Sequence, residues 1–578
     1  MKTPLAILMT KNQLSHLSEI FVSFETKKIQ GCSVVYKNQS LMKTKSLEDI
    51  LDEYSFIVIS DNDDADRQGR VKNFMAERYG GDGILKNGGG GRCGFDGEWQ
   101  LKGLGPNELV DSNAEKTHSD GNLSLTTALY ESIWAEILHL VLPYGAVRSV
   151  AVLDTGRKFE FGGCSVARGL LVREPVVRLA HFIRATYFKE RNLNKLGEDA
   201  TRVKATIQKL ANFLPNDTIL TKTSTTENLR NGFFGLATRY AKQFATARAK
   251  HIIHYNVSAS NVSIDGQWLD LSGTRIFTNL INGDRIDIDR FNAEYLPVLD
   301  SFQSLCYYLV KYNVLDSQES SKILNLTLSQ FVKVYDMEVS IQHVAQAGFP
   351  LWMLRKLTDS PEFEAFSNHL KKIFENYSFV VNEINLGKIW HGYERQVTRL
   401  YRDLLLNKTG SLAPLDFSWL RADVPPHEVQ SSYDRLFDLS AYYANKKNIS
   451  RKNFARSLAI NMIRLNRSSN VLHGLESRIV KATSENPAKR VEIFESLLEE
   501  VIFSAELNLT NESEQSIPFW LDSNTRISFC PASGMYELQN KHKYTLSAQS
   551  LKKLGKENIS INSALLFYGD IWSILDEK

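Results

Sequence analysis

The sequence predicts an α+β protein of several units, and three observations carry that expectation. Short β-rich runs fill the first 75 residues and return at 147–153 and 169–172, runs of helical spacing dominate from about 298 to 505, and the last 65 residues revert to short β-rich runs separated by Asn, Ser, Gly and Pro. At 578 residues the chain exceeds one core, and roughly 150 residues per domain gives three or four units. A net charge of +3 offers no electrostatic case for nucleic acid or an anionic membrane. Five scattered cysteines without C-x-x-C spacing argue for a reducing compartment and against a disulfide framework or a zinc site. The N-terminal apolar run stops after five residues, short of a secretory h-region, and no window approaches the roughly 20 apolar residues of a membrane span. A cytoplasmic protein is expected.

Taken in order, residues 21–24, 32–36 and 56–59 read as strands and Leu47–Tyr54 as a helix. Residues 61–66 (D-N-D-D-A-D) lack the Gly and distal Glu of a calcium loop and read as a solvated acidic turn. Nine glycines between Tyr79 and Lys102 cost backbone entropy. They suit either a flexible loop tip or main-chain N–H groups approaching an anion. Arg92 closes the run Gly88-Gly89-Gly90-Gly91 with a phosphate-suited fork, and ten residues later Lys102 ends a predicted strand, 99–102. After Asp120-Gly121, residues 125–142 have helical spacing and carry Glu131 and Glu136. Strands are expected at 147–153 and 169–172. Arg173 and Arg178 lie in apolar surroundings that call for an anionic partner, either a polyphosphate or a protein carboxylate.

Residues 181–213 and 234–251 read as helical, and 279–288 as a hairpin with an N-G-D turn. Further helices are expected at 298–312, 329–344, 362–377, 390–406, 451–465, 474–482 and 490–505. Four short strands follow, at 518–521, 526–530, 534–538 and 544–546.

The stretch 251–274 ties these pieces together. It reads as a loop and hairpin in which Asn261 and Asp270, nine residues apart, converge. An amide oxygen and a carboxylate suit magnesium beside phosphates, the pairing that protein kinases build from their catalytic-loop Asn and D-F-G Asp. A hairpin turn capped by polar residues is the alternative. The position where a kinase-like site carries its catalytic Asp holds Ser260.

With these residues in hand the chain resembles the SelO (YdiU) family, kinase-like proteins that transfer AMP from ATP to proteins. Gly89-Gly90-Gly91-Arg92 is similar to the family's G-D-G-R segment, and Gln100 to Gly105 (Q-L-K-G-L-G) to its Q-L-K-G-A-G. Asp120-Gly121 matches its D-G, and Glu131 falls eleven residues on, as the family's helix glutamate does. His254, Asn261, Ser263, Gly266 and Asp270 coincide with its metal-binding hairpin, while Ser258 and Ser260 replace its Asn and its general-base Asp. The resemblance implies a bilobal protein-kinase-like fold: an N-lobe over 1–185, a C-lobe over 186–400, a helical extension over 401–510 and a β-rich appendage over 511–578. It implies catalytic roles at Lys102, Glu131 and the Ser260 position. ATP would be held by Gly89, Gly91, Arg92, Lys102, Asp120, Gly121, Arg173, Arg178 and Asp270, and Mg2+ by Asn261 and Asp270.

More narrowly, the chain resembles the siderophore-microcin maturation proteins of the MchC/MceJ type, which act with an acyltransferase-like partner to join a peptide C-terminal carboxylate to a glucosylated siderophore. Three functions are therefore expected in order: an ATP-dependent adenylating enzyme with a carboxylate acceptor, a SelO-type AMP transferase acting on Ser, Thr or Tyr hydroxyls, and a nucleotide-binding pseudokinase scaffold. The missing Asp ranks them. Positioned proton transfer is worth roughly 10² to 10⁴ in rate, which a hydroxyl acceptor needs and an ionised carboxylate does not.

Overall fold

The computed structural model describes residues 14–59, 69–84, 86–113, 119–191, 196–215, 224–277, 285–377, 381–387, 390–410, 424–540 and 542–576. The acidic run at 61–66 and the turn expected at 279–284 lie outside them. The molecule is a mixed α/β protein built around a large antiparallel sheet.

That sheet has eight strands: β1 (Phe21–Lys28), β2 (Ser33–Lys37), β3 (Phe56–Ile57), β4 (Val71–Glu77), β5 (Cys93–Phe95), β6 (Gln100–Lys102), β7 (Ser149–Phe161) and β8 (Cys164–Arg173). Their spatial order is β2, β7, β8, β6, β5, β4, β1, β3. Side chains alternate faces along a strand, so Gln100 and Lys102 share one face of β6 and Leu101 takes the other. On β8 the register sets Arg173 opposite Gln100 and Leu171 opposite Lys102. The polar residues are thereby gathered on one face. The other face carries Leu101, Val172, Leu153 and Phe74 into a core closed by the helix Leu47–Tyr54 through Ile50 and Tyr54. That helix starts where the sequence places it because Ser46 and Asp49 form a reciprocal capping box.

The helix Leu125–Val141, capped by the Ser124 side chain on Thr127 N–H, covers the polar face. Leu129, Ile133, Trp134, Ile137 and Leu138 are buried on it, and so is Glu131. A carboxylate on so apolar a helix needs a cationic partner, and the sheet below supplies one.

Beyond the sheet the chain is mostly helical. Thr225–Ala249 and Ser317–Gln346 both begin earlier than expected, capped by Ser224 and Asp316. Pro487–Leu509 reaches back to the sheet, where Phe494 meets Tyr36 edge to face at 5.8 Å and Arg490 pairs with Asp154. A second core holds the C-terminal helices together with a four-stranded sheet formed by Ile517–Leu521, Arg526–Cys530, Met535–Gln539 and Lys543–Leu546. The appendage is not purely β-rich, because Ala548–Gly555 and Ile559–Phe567 follow as helices.

Three expectations are corrected. Residues 390–406 are not one helix but strand His391–Arg395 followed by helix Thr398–Thr409. The strand lies between Val381–Asn385 and Arg467–Ser469, and a Cβ at Gly392 would stand 2.1 Å from Ser468 O, so glycine alone permits this approach. Residues 181–213 hold the helix Asp199–Ile207 flanked by 3-10 turns. Arg202 donates to the carbonyls of His181 and Ile183, which a continuous helix would have used itself. Arg285–Ala293 is a helix and not the second arm of a hairpin, and it seats Phe291 in a stack against Phe277 with ring centres 4.7 Å apart.

Candidate functional site

A cleft of about 960 Å³ opens beside the polar face of the sheet, lined by Gly89, Gly91, Arg92, Lys102, Asp120, Gly121, Ser260, Asn261 and Asp270 among others. Its floor is an ion network. Lys102 Nζ donates to Glu131 Oε1 and Oε2 at 2.8 and 3.1 Å and to Asp270 Oδ1 at 2.5 Å. Arg173 Nη1 reaches the same oxygen at 2.8 Å, and Arg178 Nη1 reaches Oδ2 at 3.1 Å. Three cations therefore converge on one carboxylate. Burial alone would raise the Asp270 pKa, but Arg173, Lys102 and Arg178 outweigh it and hold the group well below the usual carboxylate range.

The stretch 251–274 delivers Asp270 through local pairing. Ile252–Ile253 pairs with Arg275–Ile276, Val262 bridges Trp268, and Leu269 N–H donates to Asn261 O at 3.1 Å. That last bond sets Asn261 across the hairpin from Leu269, next to Asp270. His254, fully buried, joins Leu269 O through Nε2 at 2.9 Å and packs edge-on against Trp268. Burial lowers its pKa to about 4, so it is neutral and structural. Asp270 has φ 59° and ψ 61°, a left-handed conformation that Asp tolerates better than most residues.

The arginines occupy a different place from the one expected. Arg173 and Arg178 are 3% and 1% exposed, do not line the cleft, and grip Asp270 from behind. Arg178 also donates to Ser260 O at 2.6 Å and lies over the Tyr79 ring at 4.9 Å. Arg173 Nη2 and Arg178 Nε and Nη2 are buried without a hydrogen-bond partner among the described residues. Arg92, by contrast, lines the cleft, with one bond to Asn122 O at 3.3 Å.

The glycines are also used otherwise than expected. The N–H groups of Gly88, Gly90 and Gly91 donate to Leu109 O, Glu77 O and Gly89 O, so they form no open anion nest. Glycine is required for close packing instead: a Cβ on Gly89, at φ 144°, would stand 2.1 Å from Glu77 O. Asp120 accepts from Asn122 N–H and Nδ2, and Gly121 packs on Gly105. These residues shape the cleft wall.

Ser260 is 3% exposed, and its Oγ meets Ser258 Oγ at 2.9 Å and Asn261 Oδ1 at 3.3 Å. Gly83 closes over both serines: a Cβ there would stand 2.1 Å from Ser258 Oγ and 2.5 Å from Ser260 Oγ. Asn261 Nδ2 is fixed on Asn256 O at 2.7 Å, so the amide turns Oδ1, which accepts the long 3.3 Å bond from Ser260 Oγ, the other way. Among the described residues no group of three or more His, Cys, Asp or Glu could hold a metal ion. An amide oxygen and one carboxylate held ionised would fit magnesium where waters and phosphate oxygens complete its shell.

Two groups escaped the sequence reading. Gln100 links Arg173 (Nε to Oε1, 2.5 Å) to Glu77, which also meets His181 Nε2 at 3.1 Å, so a second buried carboxylate supports the cluster from below. Glu294 lines the cleft while accepting from Tyr255 N–H at 2.7 Å. Burial raises its pKa to about 8. Gln100 stood within the quoted Q-L-K segment, whereas nothing local marks Glu294 in the sequence. Compared with known proteins, the chain matches no protein-family model and no curated protein.

Proposed function

We propose that the protein is an ATP-dependent adenylating enzyme of kinase-like, SelO-like architecture that activates a carboxylate. The observation that carries the reading is the junction at Lys102, whose ammonium joins the helix glutamate Glu131 and the hairpin carboxylate Asp270 on the floor of a glycine-walled cleft. A lysine on a sheet, fixed by a helix glutamate and facing an Asn/Asp pair, is the arrangement that positions a nucleotide triphosphate for transfer. Arg92 and Lys102 would meet the phosphates. Arg173 and Arg178 act one step removed, keeping Asp270 ionised and aimed. Asn261 and Asp270 would hold Mg2+, which when bound neutralises charge on the phosphates.

The acceptor follows from Ser260. A buried serine held by Ser258 cannot take a proton from an attacking alcohol, whereas a carboxylate with a pKa near ~3.5 is already ionised. In this reading a carboxylate oxygen attacks the α-phosphorus of ATP, the Pα–O bond to the β-phosphate breaks and pyrophosphate leaves. A hydroxyl then attacks the acyl carbon, AMP departs, and the hydroxyl proton passes to solvent. The narrower resemblance makes the acceptor a microcin-type peptide C-terminus and the hydroxyl a sugar of a siderophore, with an acyltransferase-like partner.

A second reading, AMP transfer to protein hydroxyls, is favoured by Glu294, a carboxyl in the cleft wall that gains and loses a proton near neutral pH. Pyrophosphate exchange separates the two. Carboxylate activation predicts acceptor-dependent exchange that Ser260→Ala leaves within about tenfold of the parent, since a lost hydroxyl hydrogen bond costs about 0.5–1.5 kcal/mol, and that Asp270→Ala abolishes. Labelling of protein hydroxyls that disappears in Glu294→Gln, with no carboxylate-dependent exchange, would replace this reading with the other.

A further inference from the structure

Away from the cleft, a cavity of about 300 Å³ lies between the C-terminal end of Thr225–Ala249, the helix Ser317–Gln346, the helix Pro361–Tyr377 and the strand His391–Arg395. Among the described residues of its lining, the cations Lys371 and Arg395 face one carboxylate, Asp336, which is exposed.

Arg395 is the informative member. It is 9% exposed, and among the described residues its guanidinium makes one hydrogen bond, Nη1 to Ala249 O at 2.7 Å, where it caps the end of a helix. Among the described residues it forms no ion pair. Burial lowers its pKa to about 10 with no carboxylate opposing the shift. A guanidinium taken out of water without an anion is costly, and capping one carbonyl uses one of its five N–H groups. The neighbouring His343 is kept neutral, its pKa lowered to about 3 by burial and by Arg248 and Arg395, so it adds no charge of its own. Around these cations the walls are aromatic. Tyr295 and Tyr335 pack with ring centres 4.9 Å apart, and Phe374 lies 4.2 Å from His343.

The geometry points to a second ligand site here, for a small organic carboxylate on a ring-bearing body: the Arg395 fork takes the carboxylate, and Tyr295, Tyr335 and Phe374 flank the ring. A planar carboxylate matches a guanidinium fork two bonds at a time. The cavity stands at the lower end of the ~300–1,000 Å³ of small-molecule sites, which favours a single ring over a nucleotide.

The test is calorimetry on the full chain with benzoate, acetate and inorganic phosphate as probes, each with and without magnesium and ATP. Benzoate is expected to bind saturably, more tightly than acetate or phosphate, and to be indifferent to ATP. Arg395→Gln should weaken benzoate by about tenfold or more, the effect of losing a charge-assisted pair. Because Arg395 also caps a helix, Lys371→Glu serves as the second variant. Lys371 is exposed at the rim, so this change leaves the packing intact and should weaken benzoate about three- to tenfold by charge reversal at the mouth. The assignment is overturned if the parent shows no saturable benzoate binding, if phosphate binds more tightly than benzoate, if ATP displaces benzoate, or if Lys371→Glu binds it as the parent does.

Discussion

The cations around Asp270 and those around Arg464 are equally removed from water, yet they hold different things. At Asp270, Lys102, Arg173 and Arg178 converge on one carboxylate that is itself 19% exposed in the cleft. Arg464, 0% exposed, donates to Leu507 O at 3.1 Å and Thr510 O at 2.8 Å, while Lys250 Nζ takes Leu509 O at 2.5 Å. These are carbonyls at the end of the helix Pro487–Leu509 and of its cap Thr510, orphaned by geometry wherever a helix ends. One cluster presents charge to a cleft and the other seals the end of a helix. Burial of charge alone does not mark a site; what marks it is a carboxylate held ionised where a ligand can reach it.

The largest effect is expected at the sealed cluster. Arg464→Ala removes the ion-pair partner of Glu512, 3.5 Å away, and should destabilise the protein by about 3–5 kcal/mol in denaturant unfolding. Added anions should not restore it. Asp270→Asn should also destabilise, by a smaller margin because the site is partly hydrated, and here added pyrophosphate or sulfate should recover stability by giving the three cations a substitute anion. Equal anion response in both variants, or in neither, would erase the distinction.

An effect of a different kind, on the pH dependence, is expected from Glu294. Its folded pKa of about 8 lies above the ordinary carboxylate value, so the folded state binds the proton more tightly. Stability should then fall as pH rises from about 4.5 to about 8. Glu294→Gln should flatten that part of the profile and leave the acid limb in place. Asp270 acts in the opposite sense: its depressed pKa gives stability that persists until the pH falls below the usual carboxylate range. A profile of Glu294→Gln identical to the parent's would show that the carboxyl is ionised throughout.

How much of this was legible in the sequence depended on range. The helix Leu47–Tyr54 was readable to the residue because its capping box is local, and Asn261 and Asp270 were readable because one hairpin joins them. Strand His391–Arg395 was not: it pairs on one side with the nearby Val381–Asn385 and on the other with Arg467–Ser469 over 70 residues away, and this pairing overrode a helical spacing. The Gly88–Gly91 run was noticed and its purpose misread: sequence counts glycines but cannot tell an open nest from a tightly packed turn. Arg173 and Arg178 were expected to need an anion, and a protein carboxylate was one of the two partners weighed. That Asp270 is that partner depends on a contact spanning 97 and 92 residues.

Calorimetric titration of magnesium and ATP into the full chain tests the nucleotide cleft most directly. The parent should bind ATP saturably and only with magnesium, and Lys102→Ala, which removes the ammonium joining Glu131 to Asp270, should lose that binding while Lys371→Glu, at the separate cavity, keeps it. ATP bound as tightly by Lys102→Ala as by the parent would contradict the account.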